Sequence, residues 1–140
     1  MEPVRNAECG VRNENSAEWS MDYENLKERT KKFGLDIISL VEELPKDHVA
    51  KVLSTQLLRS GTSVGANYRA ACRSKSTADF ISKLGTVEEE ADESAFWLEM
   101  LVGAGKLGHR DAAPLLKESG ELTAIVVASI NTARKSQGRK

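Results

Sequence analysis

Apolar residues return every three or four positions through four stretches of the chain, and the breaks between them carry Pro, Gly or Ser. That spacing predicts four amphipathic helices. The first spans about Asp22 to Glu43, with Leu26, Phe33 and Leu40 seven apart and Ile37 and Leu44 as a second row. Ser20 or Asp22 can cap its start, and Pro45 ends it. The second begins at Pro45 or Lys46 and ends near Cys72 or Arg73. Its stripe is Val49, Leu53, Leu57, Val64, Tyr68 and Ala71. The third opens on Ser76, followed three residues later by Asp79, a short capping box. Phe80, Leu84, Val87, Ala91, Ser94, Leu98 and Leu101 then step by three and four, and the helix should stop at Val102 before Gly103, Gly105 and Gly108. The fourth starts at Asp111 as a cap with Pro114 in its first turn, and buries Leu115, Leu122, Ile125 or Val126, Ser129 or Ile130, and Ala133. Ile125-Val126-Val127 is β-prone, but its flanks keep helical spacing. Short connections make neighbours antiparallel, so the expected fold is all-α, an up-down-up-down four-helix bundle over residues 22–136. A flexible N-terminal extension (1–21) precedes it, with Trp19 the residue best suited to pin it, and a basic tail (137–140) follows.

The second helix is the most informative. Leu57 to Phe80 reads LLRSGTSVGANYRAACRSKSTADF, and its middle is rich in Gly, Ser and Thr. Each helix-interior Gly costs roughly 1 kcal/mol relative to Ala. Gly61 and Gly65, one turn apart, are therefore expected to let another backbone approach closely, together with Ser63 and Asn67.

With 140 residues, 40% of them hydrophobic and 29% charged, the composition suits one folded domain with a single core. No apolar run approaches the ~18 residues of a membrane span, and the first twenty residues hold no secretory h-region. Cys9 and Cys72 form neither a disulfide framework nor a zinc spacing, and Cys72 reads as a small packed residue. A cytoplasmic setting is the expectation. The net charge of −1 gives no general bias toward nucleic acid. Its distribution is uneven. Lys46 to Lys75 is basic, with Lys51, Arg59, Arg69 and Arg73, whereas Ser76 to Val102 is acidic, with Asp79, Glu88, Glu89, Glu90, Asp92, Glu93 and Glu99. Such segments suit pairing within one bundle or between copies.

Few residues suggest chemistry. Gly103–Arg110 (GAGKLGHR) contains a Gly-Lys pair without phosphate-loop spacing, and is better read as a terminator and turn. His109-Arg110-Asp111 copies three letters of a kinase loop without its other parts. The carboxylates of the third helix lack the Glu-x-x-His pairs of a di-metal bundle, since the two histidines, His48 and His109, lie elsewhere. Ser60, Thr62 and Ser63 have no base at an activating spacing. No catalytic residue, metal or cofactor is expected. Arg59, Arg69, Arg73, Lys75 and Lys83 are candidate phosphate contacts, although pairing with the acidic third helix is the simpler account of such cations. Glu93, close to the apolar stripe, could face a buried arginine such as Arg59. Phe96 and Trp97 are adjacent and so diverge by about 100°. The core stripe already takes Leu98 and Leu101, so one of the two rings is a candidate interface between copies.

The strings LLRSGTSVGANYRAACRSKSTADFISKL and EADESAFWLEML resemble the four-helix bundle proteins of the 23S ribosomal RNA intervening-sequence family, to which the accessory variability protein of diversity-generating retroelements is related. The resemblance covers about Tyr23 to Arg134. It implies an antiparallel four-helix bundle, often a pentameric ring, and in the accessory relatives a basic surface for RNA and a reverse transcriptase. Arg59, Ser63, Asn67, Arg69 and Glu93 fall on the family's characteristic positions. Arg69-Ala70-Ala71 stands where members often carry Glu, which makes this face more basic. Two functional readings follow. One is a non-enzymatic homo-oligomeric scaffold, a pentamer by preference, that engages RNA or an RNA-bound partner such as a reverse transcriptase. The alternative is a structural or protein-interaction module with no nucleic-acid role.

Overall fold

The computed structural model describes the backbone of residues 16–138 and the side chains of residues 25–138. Four helices follow one another: α1 (Ser16–Glu42), α2 (His48–Cys72), α3 (Thr77–Gly103) and α4 (His109–Gly138). They form an all-α up-down bundle in which α2 packs against α1 and α3, and α3 against α4, while α1 and α4 meet more loosely. At ~1.5 Å per residue each rod is about 40 Å long.

The apolar stripes meet along one continuous core. Phe33 and Ile37 of α1, Leu57, Val64 and Tyr68 of α2, the whole expected stripe of α3 and Leu122 and Val126 of α4 are all buried. α2 runs unbroken through Ser60 to Ala66, so its glycines join helices instead of ending one. Val49 is the exception to its stripe. It is 48% exposed, because the buried row at that end of α2 passes through Ala50 and Ser54 instead.

Capping explains most of the boundaries, including those that differ from expectation. α2 begins at His48, after Pro45 and Lys46. The Asp47 carboxylate accepts from the Ala50 N–H at 2.9 Å and thereby fixes the first turn. That hydrogen bond, with Lys106 Nζ at 3.1 Å, holds the Asp47 carboxyl below its ordinary pKa. Ser76 caps α3 as expected, its hydroxyl accepting from the Asp79 N–H at 3.1 Å. α3 ends at Gly103 in a Schellman turn: the Gly105 N–H reaches the Val102 carbonyl and the Lys106 N–H the Leu101 carbonyl. Gly105 takes a φ of +74°, the left-handed conformation that this closure needs.

α4 starts at His109, earlier than Asp111. The Gly108 carbonyl accepts the first backbone bonds, so Asp111 lies in the first turn, where its charge faces the helix N-terminus, and Pro114 lies beyond that turn. α1 starts at Ser16, which puts Ser20 and Asp22 inside the helix. Trp19 and Tyr23 continue the three-and-four spacing ahead of Leu26, so the later expected start rests on the choice of Ser20 or Asp22 as the cap and not on the periodicity. α4 likewise continues to Gly138, past the expected end at residue 136. The Trp19 side chain, residues 1–15 of the expected extension and the last two residues of the basic tail lie outside the described residues.

Cys72 is buried and disulfide-bonded, where the sequence suggested a packed thiol. Disulfide formation depends on the spatial approach of two sulfurs, about which separation along the chain is silent. Cys9 lies outside the described residues. Among the described residues no helix is long and apolar enough to cross a membrane.

Across the looser α1–α4 seam, Arg29 bridges to Glu118 at 2.6 Å and Glu121 at 3.2 Å. Glu118 raises the Arg29 pKa above its ordinary value. Toward the other end of the seam the two helices leave an open groove of about 900 Å³ beside Leu40, Leu44 and Leu107.

Candidate functional site

The α2–α3 pair places most of the residues singled out from the sequence. Ser60 and Ser94 are buried at the contact, with their hydroxyls 3.0 Å apart. Small residues at that crossing bring the helices close enough for longer side chains above it to meet. Arg59 Nη1 lies 3.2 Å from Glu90, and its Nη2 pairs with Glu93. The same Glu93 oxygen accepts from Trp97 Nε1 at 3.0 Å. Arg59 therefore faces Glu93, although its side chain is half exposed and not buried.

This arrangement separates the two adjacent rings. Trp97 is held down by Glu93 and packs against the core. Phe96 is 50% exposed and meets Trp97 edge to face, with centroids 4.9 Å apart. Met100, one turn on, is 43% exposed. Glu89, Asp92 and Glu99 are exposed on the same helix. The outer face of α3 is thus an apolar pair framed by carboxylates.

The remaining cations divide. Lys83 pairs with Asp79 at 2.8 Å, one turn away on α3. That contact holds the Asp79 carboxyl below its ordinary pKa. Arg69 lines a shallow groove of about 460 Å³ between α1 and α2, with Lys31 on the opposite wall. Arg73 and Lys75 are exposed just beyond, where α2 ends. Among the described residues no ion pair engages Arg69, Arg73 or Lys75.

Ser63 and Asn67 serve α2 itself. The Ser63 hydroxyl donates to the Arg59 carbonyl at 2.6 Å, and the Asn67 amide donates to the Ser63 carbonyl at 2.9 Å. Gly61 faces the Ile37 side chain and Gly65 faces the backbone of Thr30 and Lys31, so both lie at the α1 contact. Among the described residues no group of three His, Cys, Asp or Glu side chains could hold a metal ion.

Sequence reasoning missed Leu35 and Ile38, which are 52% and 37% exposed at the rim of the α1–α2 groove. The available signal was that both are apolar, three residues apart, and off the buried stripe of α1. Met100 and Val52, also exposed, carry the same signal on α3 and α2.

Residues 24–128 match the family described as 23S rRNA-intervening sequence protein. The fold also matches the crystal structure of a protein of unknown function from the S23 ribosomal protein family of Bacteroides thetaiotaomicron. The two chains are 34% identical, with a TM-score of 0.73, and the match covers 78% of this chain and 97% of that one. No curated protein matches the chain.

Proposed function

We propose that this chain, which belongs to the 23S rRNA-intervening sequence protein family, acts without catalysis as a helical scaffold that assembles with copies of itself into a ring, five copies being the expected size. One observation carries this reading: Phe96 and Met100 stand side by side and about half exposed on α3, while Trp97 beside them is held against the core. A large aromatic ring left half exposed on an otherwise charged helix face is the signature of a partner surface. Sedimentation of the protein at micromolar concentration is expected to show an oligomer. Phe96→Glu with Met100→Glu should convert it to a monomer of unchanged helicity, because two charges would then have to be buried at each contact. A wild-type chain that sediments as a monomer overturns the reading.

A second activity, RNA binding, is favoured by the exposed cations at the end of α2. With Arg59 and Lys83 held by carboxylates and Arg69 set in the α1–α2 groove, the phosphate-contacting set reduces to Arg73 and Lys75. Affinity for a single-stranded or structured RNA should fall steeply with added salt. Arg73→Ala with Lys75→Ala should lower the slope of log affinity against log salt by about 2 if each cation meets one phosphate. An unchanged slope removes the patch and leaves the scaffold as the protein-interaction module.

A further inference from the structure

The bundle carries two exposed surfaces that share apolar and charged features in complementary form. One is the outer face of α3, with Phe96 and Met100 toward its C-terminal end and Glu89 and Asp92 toward its middle. The other is the α1–α2 groove, with Leu35 and Ile38 at one end and Lys31 and Arg69 at the other. They lie on different sides of the molecule, because α2 stands between α1 and α3.

Helix register fixes their relative height. Gly65 meets Thr30, Gly61 meets Ile37, and Ser60 meets Ser94. Antiparallel packing then puts Leu35 and Ile38 level with about residues 58–61 of α2. Lys31 lies one to two turns further along α2, and Arg69 two to three turns further. By the same reckoning Phe96 is level with about residue 58 and Met100 with about residue 54, while Glu89 and Asp92 lie level with about residues 62–65. Both surfaces therefore read from apolar to charged in the same direction along the bundle. Their heights agree to within about one turn, ~5.4 Å.

We infer that the α3 face of one copy docks into the α1–α2 groove of the next. Phe96 and Met100 then cover Leu35 and Ile38, while Glu89 and Asp92 meet Lys31 and Arg69. This inference rests on the self-assembly proposed above and names its two surfaces. A contact between two different surfaces is head-to-tail. Repeated without a rise along the axis it closes into a ring, whereas a large rise would give a filament. A level contact with no rise leaves each pair within about one turn of its partner, which long side chains such as Lys, Arg, Glu and Met can span, so the pairing is compatible with ring closure. Charge complementarity sets the orientation, since sliding or inverting one copy would place Glu89 and Asp92 against Leu35 and Ile38.

Charge reversal tests the pairing. Lys31→Glu with Arg69→Glu, and separately Glu89→Lys with Asp92→Lys, should each sediment as monomers at a concentration where the wild type is assembled. Far-UV circular dichroism should be unchanged, because all four side chains are exposed. The quadruple variant restores every opposite-charge contact and should reassemble. Should Lys31→Glu/Arg69→Glu assemble like the wild type while Phe96→Glu/Met100→Glu is monomeric, the head-to-tail pairing is overturned and self-assembly through α3 survives. A quadruple variant that stays folded and monomeric also overturns the pairing. A monomeric wild type removes both ideas together.

Discussion

Gly65→Leu should leave this chain largely unfolded, and Gly61→Leu should come close to it. A Cβ on Gly65 would stand 3.3 Å from the carbonyl carbon and oxygen of Thr30 and 3.4 Å from the Lys31 nitrogen. Those are backbone atoms of α1, which cannot rotate away. Adding the rest of a leucine forces α1 off α2 along their whole contact, and Leu26, Phe33 and Ile37 lose their cover. Overpacking of a tight core costs about 1–3 kcal/mol, and separation of two helices adds to that. The total is a large share of the roughly 5–15 kcal/mol that holds a domain together. At Gly61 the obstacle is a side chain. A Cβ there would overlap Ile37 Cδ1 and stand 3.2 Å from its Cγ2. Ile37 is fully buried, so its escape is limited.

Alanine separates the two contributions. Gly65→Ala gains about 1 kcal/mol of helix propensity and loses a similar amount to the Thr30 contact, so its effect should be small. Gly85→Ala and Gly120→Ala meet nothing within 4 Å and should each stabilise the protein by about 1 kcal/mol. Chemical denaturation followed by circular dichroism reads all of these. A Gly65→Leu variant as stable as the wild type would show that α1 does not lie against α2 at this point.

The glycine pair also shows how far the sequence can be read. Two glycines one turn apart on an apolar helix announce a close approach, and that approach is present. The partner helix was not legible, because any of the three others could have used the gap. The α3 stripe was legible residue by residue, since all seven positions keep strict three-and-four spacing and nothing distorts the helix. Val49 was misread because a stripe drawn through large residues passes over small ones. Ala50 and Ser54 hold the buried row there, and neither is hydrophobic enough to announce it. The Arg59–Glu93 pairing could be suspected from charge blocks in neighbouring segments. What the pairing does to Trp97 could not be suspected, because it depends on one carboxylate oxygen being within reach of both an arginine and an indole. The α1–α2 groove left only a faint trace, Leu35 and Ile38, two apolar residues off the buried stripe of α1.

Three phenylalanines in this chain should respond to alanine in opposite ways, and the contrast separates core from interface. Phe33 is 1% exposed and Phe80 is fully buried, each inside the shared core of the bundle. Truncating either leaves a cavity bounded by helices that are held apart by their other contacts. Loss of a buried phenylalanine ring costs about 3–5 kcal/mol. In a domain of this size that corresponds to a drop in melting temperature of about 10 °C or more. Phe96 has the same chemistry and half its surface in solvent. Its removal gives up the edge-to-face contact with Trp97, about 0.5–1.5 kcal/mol, and opens no internal cavity. Phe96→Ala should therefore leave the melting temperature of the isolated chain within a few degrees of wild type at dilution where it is monomeric. At micromolar concentration the same substitution should weaken assembly strongly. A ring at the centre of an interface is where binding energy concentrates, and truncations there commonly cost 2 kcal/mol or more, about thirtyfold in affinity. Measuring stability and sedimentation on all three variants makes the outcome decisive. If Phe96→Ala melts as early as Phe33→Ala and Phe80→Ala at every concentration, the ring belongs to the fold and not to a contact between copies. If it melts like wild type and assembles like wild type, the α3 face is not where the copies meet.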